Sequence, residues 1–205
     1  MPAIPGRLKT ALPVLKPLDR RLRDARRSYT RRYRWRYHGR AVLEDVIFPA
    51  IRAEPALTKI LFVGVDFYTA DYPQRFADRE FWTIDVLPER ARFGAGRHVV
   101  GSITEAHFSP ESFDAIVCVG VLGWGVDSPE DAEQAMRQCF DILRPGGLLV
   151  VGWNDTDRYR PRVPLDELAA LRRFDRVAFG PFRAPTYPSF DAFGETFEFY
   201  AKPGA

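Results

Sequence analysis

Residues 113–153 constrain this chain more than any other stretch. They read as an apolar strand, a loop, an amphipathic helix, a Leu-Arg-Pro-Gly-Gly turn and a second apolar strand. Two buried strands joined by a helix make a parallel βαβ unit, because parallel strands need a long crossover. In open α/β sheets ligands sit beyond the carboxyl ends of the strands. The segments after these two strands, Gly120–Gly125 and Trp153-Asn154-Asp155, are therefore the first places to look for a site.

The pattern extends in both directions. Residues 59–65 (KILFVGV), 80–86 and 97–100 read as three strands before the unit, and 174–179 and 196–201 as two after it. Ser128 is placed to cap the helix of the unit, with Pro129 at its first position and Glu130 and Asp131 in its first turn. Short helices are expected from Asp71, over 41–53 (with Val42, Val46, Phe48 and Ile51 to pack) and over 165–172. No helical pattern joins the last two strands, so they are expected as an antiparallel pair at a sheet edge.

Charge divides the chain. Residues 1–40 hold 13 Lys and Arg against two acids, a balance of +11, while the remainder holds 17 basic and 25 acidic residues, a balance of −8. Residues 1–17 are Pro-rich, and 19–36 suit an arginine-rich helix with Leu18, Leu22, Ala25, Tyr29 and Tyr33 on one face. The expected division is a basic, helical N-terminal extension over 1–56 and an α/β domain over 57–205. Three readings of residues 18–40 stay open: contact with an anionic membrane surface, contact with nucleic acid, or packing on the acidic domain. Cys118 and Cys139 form no disulfide framework, and His38, His98 and His107 are scattered, so reduced cysteines and no metal are expected. No apolar run reaches the ~20 residues of a membrane span, and the basic start lacks the apolar core of a secretory leader. A cytoplasmic protein, at most peripheral to a membrane, is the expectation.

Phe113-Asp114-Ala115-Ile116-Val117-Cys118, followed after a helix by Leu143-Arg144-Pro145-Gly146-Gly147-Leu148-Leu149, resembles the second half of class I S-adenosylmethionine-dependent methyltransferases, of the methyltransferase type 11 kind. The resemblance covers about residues 57–202. It implies a Rossmann-like seven-stranded α/β sheet of order 3-2-1-4-5-7-6 with strand 7 antiparallel. It implies S-adenosylmethionine as cofactor, held by Val63, Gly64 and Asp66 after the first strand, Asp85 and Val86 after the second, Ser102 and Ile103 after the third, and Gly120 and Val121 after the fourth. Asp85 stands 21 residues after Gly64, near the ~20-residue spacing of an acid that takes ribose hydroxyls.

The first loop departs from the family. Of about three expected glycines only Gly64 is present, Phe62 stands at the usual acidic position, and Val65, Phe67 and Tyr68 are bulky. Trp124, Asn154 and Asp155 are the candidates on the acceptor side. The acceptor implied is a small molecule, a lipid or a glycan-related compound. Two alternatives stand beside the enzyme: a catalytically inactive scaffold on this fold, and an RNA-binding protein acting through the basic arm.

Overall fold

A computed structural model describes residues 38–204. The expected helix over 19–36 lies outside them, as does most of the basic arm.

Eight strands form one sheet: β1 (Lys59–Val63), β2 (Glu80–Asp85), β3 (Arg97–Val100), β4 (Phe113–Val119), β5 (Leu143–Asn154), β6 (Asp175–Arg176), β7 (Thr186–Pro188) and β8 (Glu195–Ala201). The order is β3-β2-β1-β4-β5-β8-β6, with β7 also paired to β8. The first five strands run parallel, and β8 is antiparallel to β5. This is the expected topology with one strand added.

The strand-period alternation sends side chains to two cores. Leu61, Val63, Ile116, Cys118, Leu149 and Val151 pack under helix α4 (Pro129–Ile142), which contributes Ala132, Ala135, Met136, Cys139 and Ile142. Ile60, Phe62, Ala115, Val117, Leu148, Val150, Phe197 and Phe199 form the other core. That core is covered by a helical run made of α1 (His38–Val42), a π-helical turn (Leu43–Ile47) and α2 (Phe48–Ala53), through Val42, Leu43, Ile47, Phe48 and Ile51. Helix α3 (Tyr72–Arg75) is a single turn. Ser128 caps α4 by accepting from Asp131 N–H at 3.0 Å.

Three elements differ from the expectation. Strand β5 already begins at Leu143, so the Pro145-Gly146-Gly147 segment lies within the strand and is accommodated by a register shift against β4. The expected helix over 165–172 is two 3₁₀ turns, Leu165–Glu167 and Leu171–Arg173. Its buried residues Leu165, Leu168 and Leu171 recur every third position, which is 3₁₀ rather than α spacing. The expected strand over 174–179 shrinks to Asp175–Arg176, because β6 and β7 share the outer edge of β8. Phe199 marks the handover: its carbonyl accepts from Val177 N–H and its N–H donates to Pro185 O.

Candidate functional site

The carboxyl ends of β1 to β5 meet along one edge. Gly64 leaves β1 with φ +82° and Gly120 leaves β4 with φ +65°, conformations that cost an L side chain about 1 kcal/mol or more. A Cβ on Gly64 would meet only Val121 Cγ2, at 3.8 Å, and one on Gly120 would meet nothing within 4 Å. Both glycines thus turn the chain at adjacent strand ends with open space where a side chain would stand. Val63, at the end of β1, is buried.

Two of the three bulky residues of the first loop, Val65 and Tyr68, are accommodated elsewhere. Val65 is buried in the α1/α2-side core. Tyr68 lies under the guanidinium of Arg40, 3.8 Å from its ring centroid. Burial pushes the Tyr68 phenol upward in pKa, with Arg40 opposing. Asp66 caps the 3₁₀ turn Phe67–Thr69: its carboxylate accepts from Phe67 N–H at 2.6 Å, while Thr69 Oγ1 accepts from Asp66 N–H at 3.0 Å. A reciprocal side-chain cap thus does locally what further glycines do by conformational freedom.

Asp85 ends β2 and is 6% exposed. Its Oδ2 accepts from Val65 N–H at 2.8 Å and its Oδ1 from Leu87 N–H at 2.9 Å, so its carboxylate joins the first loop to the second. Arg90 Nη1 reaches Oδ2 at 3.4 Å, and Arg90 Nη2 reaches Asp66 Oδ2 at 3.2 Å. Asp66 and Asp85, named separately from the sequence, are thus bridged by one guanidinium that no motif singled out.

Beyond β3, Ser102 Oγ caps the turn Ile103–Glu105 by accepting from Thr104 N–H at 3.2 Å. Ile103 is buried in the α4-side core. Val86 is 58% exposed. The large hydrophobic residues exposed among those described are Val86, Leu87, Val100, Trp124 and Phe190. The first four follow or end β2, β3 and β4 at this edge, and Phe190 lies in the loop leading into β8.

The ends of β4 and β5 bring the three acceptor-side candidates together. Trp124 stands between Gly123 (φ +79°) and Gly125 (φ +137°) and is 48% exposed. Its indole N–H donates to Asn154 Oδ1 at 2.9 Å, and its ring stacks on Tyr159 at 3.6 Å between centroids and 7° between planes. Asn154 is buried and donates its amide to Phe193 O at 3.1 Å, so both ends of its side chain are committed. Asp155 pairs with Arg160, Nε to Oδ1 at 2.6 Å. Asn154 orients Trp124, and Asp155 is half-exposed in its ion pair with Arg160.

Arg90 and Tyr159 are the participants the sequence reading missed. Arg90 sits five residues after Asp85 in a 3₁₀ turn (Pro88–Phe93) and Tyr159 five after Asn154 in a loop turn, and neither position carries a periodic signal. Among the described residues, no group of His, Cys, Asp or Glu is placed to hold a metal ion.

Residues 63–151 match a family model described as a methyltransferase domain. No curated protein matches the chain. Among solved structures, the N-methyltransferase NodS from Bradyrhizobium japonicum, in complex with S-adenosyl-L-homocysteine, is similar at 17% identity and TM-score 0.58, over 86% of this chain and 98% of that one. A TehB-like S-adenosylmethionine-dependent methyltransferase from Corynebacterium glutamicum is similar at 19% identity and TM-score 0.56, over 87% and 99%. The 1,6-didemethyltoxoflavin-N1-methyltransferase from Burkholderia thailandensis is similar at 18% identity and TM-score 0.52, over 97% and 94%. At these identities the likeness is one of fold. Together with the match over residues 63–151 and the strand order, it shows that the chain has the class I S-adenosylmethionine-dependent methyltransferase fold.

Proposed function

We propose that the chain transfers a methyl group from S-adenosylmethionine to a small-molecule, lipid or glycan-related acceptor. The observation that carries this reading is the open space above Gly64 and Gly120, bordered by the buried carboxylate of Asp85. In this reading Asp85 takes ribose hydroxyls through its carboxylate oxygens. Val86 supplies an exposed apolar wall for the adenine, with Ser102 on the neighbouring strand's loop as a polar partner, while the side chain of Ile103 supports that loop from the core. Val63, Gly64, Asp66, Gly120 and Val121 line the remainder of the cofactor half.

The bound cofactor supplies an activated methyl on sulfur, so the protein's work is proximity, orientation and exclusion of water. Trp124 is the acceptor-facing group: one face of its indole is held by Tyr159 and its N–H by Asn154. With Asp155 paired to Arg160, the geometry favours an acceptor whose reacting atom carries a lone pair without prior loss of a proton to that carboxylate.

Two further features support the setting. Cys118 and Cys139 are free, buried thiols, in keeping with a cytoplasmic protein. No helix among the described residues is long and apolar enough to cross a membrane. The arginine-rich residues 18–40 are read, on charge alone, as the contact with an anionic partner, a membrane surface or a nucleic acid.

Calorimetric titration with S-adenosylhomocysteine tests the reading. Saturable binding at micromolar ligand is expected. Absence of heat and of any thermal shift at millimolar ligand overturns it in favour of a scaffold.

A further inference from the structure

A carboxylate offers about four lone-pair directions, and three of those on Asp85 are filled. Two are filled by backbone N–H groups, of Val65 and Leu87, whose positions follow from the ends of β1 and β2. The third is filled by Arg90, whose contact at 3.4 Å is longer than either backbone bond and whose side chain is 36% exposed. A ribose diol needs two acceptor directions, so one more must be released. Arg90 is the group that can leave. Its other terminal nitrogen already rests on Asp66 Oδ2 at 3.2 Å, so the guanidinium can swing off Asp85 and stay paired.

We propose that Arg90 sets the cofactor affinity of this site by competing with the nucleoside diol for Asp85, and that Asp66 is its alternative seat. The inference rests on the cofactor reading above. It assigns a function to a departure from the family pattern: the loop that lacks glycines carries Asp66 instead, and Asp66 gives the displaced guanidinium somewhere to go. The apparent dissociation constant is then the intrinsic one divided by the fraction of molecules with Asp85 free of Arg90. Removing Arg90 raises that fraction, and removing the charge on Asp66 lowers it.

The probe is S-adenosylhomocysteine, titrated by calorimetry into the full chain and its variants, with the thermal midpoint of each ligand-free protein recorded. Arg90→Met keeps the aliphatic stem and removes the competitor, and binding tightens about threefold or more, the scale of one partly exposed ion pair. Asp66→Asn keeps the cap on Phe67 N–H but removes the alternative seat, and binding weakens by a similar factor. The double variant separates the seat from a direct contact of Asp66 with the ligand: binding like Arg90→Met is expected of a seat, and binding as weak as that of Asp66→Asn alone overturns that role. Should Arg90→Met fail to fold, Arg90→Lys replaces the fork with a point charge that cannot bridge both carboxylates, and a smaller tightening is expected. If the wild-type protein binds and Arg90→Met binds equally well or more weakly, Arg90 is a bystander or a ligand and the proposal is overturned. If neither the wild type nor any folded variant binds, the cofactor reading itself fails and takes this inference with it.

Discussion

The indole N–H of Trp124 and the side-chain oxygen of Asn154 meet at 2.9 Å, tying the loop after β4 to the last residue of β5. Asn154 is buried, so its carbonyl has no water to replace a lost donor. Trp124→Phe keeps a ring to stack on Tyr159 and orphans that carbonyl. The expected cost is about 1–3 kcal/mol in urea unfolding. Binding of S-adenosylhomocysteine should change less than about twofold, because Trp124 belongs to the acceptor half. A variant that loses cofactor affinity at unchanged stability would move Trp124 to the other half.

Gly123 holds Trp124 against Tyr159 in a way no other residue allows. Its φ is +79°, and a Cβ there would collide with the Tyr159 backbone carbonyl. Gly123→Ala therefore combines backbone strain with a displacement of the 155–163 segment, for an expected loss of about 1–3 kcal/mol. Separation of the stacked rings should also raise acrylamide quenching of tryptophan fluorescence above that of the parent. Unchanged quenching together with unchanged stability would show that the segment yields freely.

Asp85 serves both the fold and the ligand, and two variants separate these roles. Asp85→Ala leaves Val65 N–H and Leu87 N–H without their partner and removes the diol acceptor. It is expected to lose about 1–3 kcal/mol of stability and about tenfold or more in affinity for S-adenosylhomocysteine. Asp85→Asn retains one carbonyl oxygen for a backbone donor, so it should recover part of the stability while remaining a weak binder. Full affinity in a folded Asp85→Ala protein would end the ribose assignment.

Legibility followed periodicity. The strands β1, β2, β4 and β5 and helix α4 were readable because each buries an apolar run or face and α4 begins at Ser128 with a proline and two acids behind it. Asp85 was readable from its distance to Gly64 at the end of a strand. Arg90 and Tyr159 were not, because each acts through a tertiary contact made from a short 3₁₀ or loop turn. β7 was hidden by Pro185 and Pro188, which suit an edge strand but give no alternating pattern. The helix expected over 165–172 is instead two 3₁₀ turns, whose buried leucines stand three residues apart. The bulk of Val65 and Tyr68 suggested a narrowed cleft. Their destinations, the core and the face of Arg40, depend on helix α1, which lies 20 residues and more upstream.

The motif residue Asp114 supplies a pH-dependent prediction. Its Oδ2 accepts from Thr58 N–H, Thr58 Oγ1–H and Lys59 N–H at 2.7–2.8 Å, and Oδ1 pairs with Arg144 Nε at 2.6 Å. Asp114 thus joins the start of β1 to β4 and to the Arg144-Pro145-Gly146-Gly147 segment, which gives both signature motifs a structural role. Burial pushes the Asp114 carboxyl upward, but the bonds from Thr58 and Lys59 and the charge of Arg144 outweigh it, and the pKa is held below the usual 3.8. A carboxyl depressed in the folded state stabilises the protein above its unfolded value, and that stabilisation is lost as pH falls through the folded value. Asp114→Asn keeps an acceptor for one donor and abolishes the ion pair, so it should be less stable than the parent by about 1–3 kcal/mol at pH 7. The gap should begin to close as pH drops below about 4, where the unfolded chain's carboxyl takes up its proton, and continue to close as pH falls towards the lower folded value. Thermal midpoints of both proteins measured from pH 7 to pH 3 decide the matter, because a gap that stays constant over that range would mean Asp114 acts through shape alone.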